Sequence, residues 1–134
     1  MTLHTYLSPE WHEAAAPIRS RFLASDSPTP AIRVNVTVTH VPFGDGDLQL
    51  HGVDGVPNIF DPGHIDDAAM EITLDWAMAR MAVLDPTTRM LRLGLDSGEI
   101  RVIGDTAALS SHWKAHIGDQ AYLTLMEDIR AITK

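Results

Sequence analysis

Between Ile32 and Thr39 the chain alternates: Ile32, Val34, Val36 and Val38 are apolar, and Arg33, Asn35, Thr37 and Thr39 are polar. A period of two is that of an extended chain with one buried and one wet face, so the segment predicts a β-strand. Gly44-Asp45-Gly46-Asp47 supplies turn residues, alternation resumes over Leu48 to His51, and Asp54-Gly55 marks a second turn before an expected strand over Val56 to Phe60. An antiparallel meander is the economical arrangement. Asp61-Pro62-Gly63 reads as a breaker, after which Met70, Ile72 and Leu74 alternate with Glu71 and Thr73 in a further strand.

Helical spacing takes over on either side of these strands. Ser8-Pro9-Glu10 has the form of an N-cap, a proline in the first turn and an acid beside the helix N-terminus, opening a helix toward Phe22 and Leu23 that Pro17 is expected to kink or divide. Ser25 to Pro30 reads as a loop. Asp75 can cap a helix carrying Trp76, Ala77, Ala79, Arg80, Met81 and Leu84, closed by Asp85-Pro86. Pro86 can start another segment through Met90 to Leu95, which Asp96-Ser97-Gly98 ends before a short strand at Ile100, Val102 and Ile103. Asp105 can cap a helix with Ala108, Leu109 and Trp113, and beyond Gly118 a last helix places Tyr122, Leu125, Met126, Ile129 and Ile132 at helical spacing. This order predicts an α+β fold: a roughly five-stranded, mostly antiparallel sheet with helices packed on one face. Without a linker, residues 1–134 are expected to form one domain.

Charge and composition narrow the partners. Ten Lys and Arg face 18 Asp and Glu, a formal charge of −8 that repels phosphate backbones and anionic headgroups, so nucleic acid is not an expected partner. Cysteine is absent, which excludes disulfides, thiolate metal sites and thiol nucleophiles. No apolar run approaches the roughly 18 residues that cross a bilayer, and the first residues lack a basic leader, so the expected location is the cytoplasm.

Two linked motifs point to a family. Asp67-Ala68-Ala69-Met70-Glu71-Ile72-Thr73-Leu74-Asp75-Trp76 resembles the D-P-D-V-T-I-T-x-D-Y segment of the sterol carrier protein 2 family, a strand running into the aspartate and aromatic that open a helix. Gly98-Glu99-Ile100-Arg101-Val102-Ile103-Gly104-Asp105 is similar to the family's G-K-I-K-V-x-G-D, with a helical segment between the two as in the family. Tyr6-Leu7-Ser8-Pro9-Glu10-Trp11 resembles the opening of its stand-alone bacterial members, so the likeness spans nearly the whole chain. Ala68 and Ala69 stand where the family has Pro and Asp, and Glu99 where Lys is usual. Asp96, where members often carry an apolar residue, reads as a solvated helix C-terminal residue.

The resemblance implies an apolar tunnel between sheet and helices, non-catalytic binding or transfer of a fatty acyl chain, sterol or other lipid, and partners among enzymes of lipid or steroid metabolism. It implies no cofactor. Trp76, Met78, Met81, Met90, Leu93, Trp113, Tyr122, Leu125 and Met126 are the expected lining, since methionine adapts to irregular apolar partners; the same spacing also suits plain core packing. Two alternatives stay open: an interaction or dimerisation module with a closed core, and a small α+β isomerase using one buried acid.

Catalytic and metal constellations are not legible. His112 and His116 lie four apart without a third ligand, and His12-Glu13 lacks the second histidine of a zinc protease helix. Gly44-Asp45-Gly46-Asp47 lacks the ligand pattern of a calcium loop, and neither a nucleophile elbow nor a phosphate-cradling glycine loop occurs.

Overall fold

A computed structural model describes residues 2–25, 31–44, 46–85, 89–116 and 118–134, with the side chains of residues 109, 110, 112, 113 and 116 outside the described set. The first helix, α1 (Pro9–Leu23), starts as its capping residues predict. The Ser8 hydroxyl accepts from the backbone N–H of Trp11 at 3.2 Å, and Pro9 occupies the first turn, where an N–H has no intrahelical partner. Pro17 does not divide the helix. It lies on the exposed side, while Trp11, Ala15, Ile18 and Phe22 on the opposite side are buried and hold the helix against the core through the break in its bonding.

Five strands follow the sequence pattern with one displacement. They are β1 (Val34–Thr39), β2 (Leu48–Gly52), β3 (Asp61–Pro62), β4 (Met70–Asp75) and β5 (Ile100–Gly104), in the sheet order β3-β2-β1-β4-β5. The expected strand over Val56 to Phe60 is a connection instead, and the third strand is the short segment read as a breaker. Val56 and Ile59 are buried there as core anchors, and β3 lies at the sheet edge, where Pro62 needs no ladder N–H. Arg19 holds this connection to α1: its guanidinium donates to both carboxylate oxygens of Asp61, at 2.8 and 3.0 Å, and to Asp54.

Three of the four strand pairings are antiparallel, and the central one, β1 with β4, is parallel. That register aligns the apolar alternations into rows. Leu50, Val36, Ile72 and Val102 stand side by side across β2, β1, β4 and β5, and Leu48, Val38, Leu74 and Ile100 form the next row on the same face. On the reverse face, Asn35 is buried and satisfied by the backbone of Ile65, donating to its carbonyl and accepting from its N–H at 2.8 Å each.

The helices α2 (Trp76–Leu84), α3 (Arg89–Ser97) and α5 (Gln120–Ile132) cover the face that carries the rows, and α1 packs against α5. Asp75 caps α2 by accepting from the N–H of Ala77, and Asp119 caps α5 by accepting from that of Ala121. Between β5 and α5 runs α4 (Thr106–His116), whose first turn Asp105 caps by accepting from Ala108; Leu109 and Trp113, expected on its apolar side, lie outside the described side chains. Gly94 lets α3 lie directly on β5. A β-carbon there would stand 2.5 Å from Cδ1 of Ile100.

The two ends of the chain meet. The N–H of His4 donates to the carbonyl of Ile132 and that of Lys134 to the carbonyl of His4, while the fully buried Trp11 indole donates to Thr133 Oγ1 at 3.0 Å. Tyr6 meets the Trp11 ring edge-on at 5.0 Å between centroids.

Candidate functional site

The two aliphatic rows do not close against the helices above them. All of their members except Leu48 border a cavity of about 180 Å³, partly open to solvent, between the sheet and α2, α3 and α5. Ala79 and Ala82 of α2, Leu91 and Leu95 of α3, and Tyr122, Leu123 and Met126 of α5 form its roof, with Leu7 and Phe60 at the sides. Small residues on α2 are part of why the space stays empty. An apolar cavity of ~150 Å³ takes up a benzene ring, so this one as it stands holds one short apolar segment.

Five polar side chains interrupt the lining: Tyr6, Asn58, Asp85, Tyr122 and Arg130. Asn58 donates to the sulfur of Met126 at 3.3 Å, and Asp85, at the junction of α2 and α3, accepts from the N–H of Met90 at 2.9 Å. Burial pushes the Tyr6 phenol far above its ordinary range. Tyr122 is also raised by burial, against the opposing pull of the nearby Arg130 charge. Tyr122, Met126 and Arg130 follow one another at steps of four along α5 and so share the stripe that faces the cavity.

The nine residues expected to line a ligand site divide sharply. Tyr122 and Met126 stand on the cavity wall. Trp76, Met78, Met81, Met90, Leu93 and Leu125 do not, and the side chain of Trp113 is outside the described set. Five of these six have another setting. The Trp76 indole donates to the carbonyl of Tyr6 at 2.8 Å, and Leu125 is buried in the core cluster shared with α1. Met81 and Leu93 are nearly half exposed, and the sulfur of Met78 packs beside Gly94. Asp96 is exposed, as its place beside a turn predicts.

The sheet residues of the wall are not among those expected, although the signal that marks them is the strand alternation itself. Among the described residues no three His, Cys, Asp or Glu side chains are grouped to hold a metal, and no helix is long and apolar enough to cross a membrane.

No family model and no curated protein matches the chain. Solved structures do. The crystal structure of sterol carrier protein 2 like 2 from Aedes aegypti shares 20% identity, over 78% of this chain and 93% of that one, with a TM-score of 0.52. The solution structure of the palmitated form of that protein also shares 20% identity, over 82% and 96% of the two chains, at a TM-score of 0.52. A conserved hypothetical protein from Thermus thermophilus shares 17% identity over 100% of this chain and 94% of that one, at a TM-score of 0.53. The chain has the fold of the sterol carrier proteins, as the two motifs imply.

Proposed function

We propose that the chain binds an elongated apolar ligand without altering it chemically, the apolar segment of the ligand lying against the two aliphatic rows of the sheet beneath α2, α3 and α5. The observation that carries this reading is the unfilled space itself: two rows that would ordinarily be covered by core side chains instead face a cavity. That space also separates the reading from a closed interaction module, whose core would be full. The fold likeness supports it further, since one of the similar structures is a palmitated protein. Tyr122 and Met126, together with Val36, Val38, Ile72 and Leu74, are the proposed contacts.

A ligand longer than the cavity must extend through its open side or part α2 and α3 from the sheet. The reading is tested by titrating delipidated protein with a fluorescent fatty acid and a fluorescent sterol, alongside mass spectrometry of lipid extracted from the purified chain. One-to-one binding of at least one probe is the expected result. Failure to bind any member of a panel of fatty acids, sterols and phospholipids would overturn it.

A further inference from the structure

Among the described residues Arg130 is the one cation of the cavity wall, and it is placed unlike most arginines of that set. Arg19, Arg21 and Arg33 each pair with aspartates, Arg80 donates to the carbonyl of Lys134, and Arg89 is also engaged. Around Arg130 there is no carboxylate within 4 Å among the described residues, although the chain carries 18 acids to 10 Lys and Arg. Its position in the last turn of α5 suits the helix dipole, but that benefit is available on any side of the helix. The stripe shared with Tyr122 and Met126 turns it toward the cavity instead.

A second polar group of the wall is also unmatched. The Tyr6 hydroxyl makes no hydrogen bond among the described residues, although the side chain is buried and borders the same space. A buried phenol ordinarily finds a partner. Asp85, the wall's one carboxylate among the described residues, is engaged by the N–H of Met90.

We infer that the cavity selects an amphiphile with an anionic head, a carboxylate in the simplest case, with Arg130 supplying the charge and Tyr6 a further donor. This rests on the apolar-ligand reading above and adds to it a head-group preference that excludes neutral sterols as the best ligand. The planar guanidinium suits two-point recognition of a carboxylate. The apolar segment then lies along the sheet rows.

Isothermal titration of the delipidated chain at neutral pH with decanoate and with decanol tests it, using the wild type, Arg130→Gln and Arg130→Lys. The wild type is expected to bind decanoate about tenfold or more tightly than decanol, from the strength of a charge-assisted hydrogen bond. Arg130→Gln lowers decanoate affinity to about that of decanol in the same variant, so that the preference is lost, and Arg130→Lys keeps the charge and restores part of the preference. Equal wild-type affinity for acid and alcohol overturns the head-group assignment and leaves the apolar-ligand reading standing. A preference that survives in Arg130→Gln overturns the role of Arg130. Binding of neither probe by the wild type overturns both.

Discussion

Replacing Ala79 by Leu tests whether the space under α2 is empty or already filled. Ala79 is 7% exposed and borders the cavity in mid-helix, where leucine is almost as favourable as alanine. Three added carbons buried in a void contribute about 0.8 kcal/mol each, roughly 2.4 kcal/mol in all. Fixing the leucine rotamer costs about 0.5–1 kcal/mol, which leaves a net stabilisation of about 1.5 kcal/mol. At about 4 °C per kcal/mol for a domain of this size, the thermal midpoint rises by roughly 6 °C. The same change in a close-packed core forces strain and lowers stability by about 1–3 kcal/mol, so the sign of the shift discriminates. Differential scanning calorimetry of delipidated Ala79→Leu and wild type reads it directly. A titration with the fluorescent fatty acid should show weaker binding by the variant. A lowered midpoint with unchanged ligand affinity would refute the cavity argument, because it would mean that leucine had met side chains rather than space.

Other parts of the molecule respond in ways that can be measured as simply. Arg19→Met removes the guanidinium that holds the Asp61 carboxyl below the ordinary carboxylate range, and unfolding in urea should show a loss of about 1–2 kcal/mol near neutral pH. Because the folded carboxyl is the stronger acid, the stabilisation is fully present above the unfolded value near pH 4 and fades as pH falls further. The wild type and variant should therefore converge toward pH 3, and a constant difference would exclude the ion pair as its source. Trp11→Phe and Thr133→Val each break the buried indole bond, at an expected 1–3 kcal/mol; a double-mutant cycle should give a coupling near 1 kcal/mol, whereas additive losses would show that the bond contributes nothing. Gly94→Ala gains about 1 kcal/mol of helix propensity but drives its new methyl against Ile100, whose side chain borders the cavity and has room to yield into it. Binding of the fluorescent fatty acid should weaken in Gly94→Ala, and unchanged affinity would count against that displacement.

Much of the fold is written in local patterns. The period-two runs from Ile32 and Met70 are β1 and β4, and Ser8, Asp75 and Asp105 cap the helices that follow them. Two local rules lost to tertiary contacts. Pro17 stays inside α1 because the buried side of the helix is anchored, and Asp61-Pro62 pairs as an edge strand because Arg19 and β2 hold it there. The site is harder to read for a different reason. A methionine at helical spacing has the same signature whether it faces a void, a neighbour or water, and Met126, Met78 and Met81 exemplify the three. A cavity is a deficit of atoms between elements, and it arises here where the rows of β1, β4 and β5 meet the small Ala79 and Ala82 of α2. Ile72, Leu74, Ala79 and Ala82 follow one another from β4 into α2, yet their order along the chain does not show that they face each other across empty space.

The clasp between the two ends of the chain also sets a timetable for synthesis. The buried stripe of α1, from Trp11 to Phe22, is covered by α5, which begins only at Gln120. At translation rates of about 5–20 residues per second, that apolar stripe waits roughly 5–20 s for its cover while the sheet is still being made. During this interval the nascent chain displays Trp11, Ile18 and Phe22 to other unfolded chains and to chaperones, and the emergence of α5 ends the exposure.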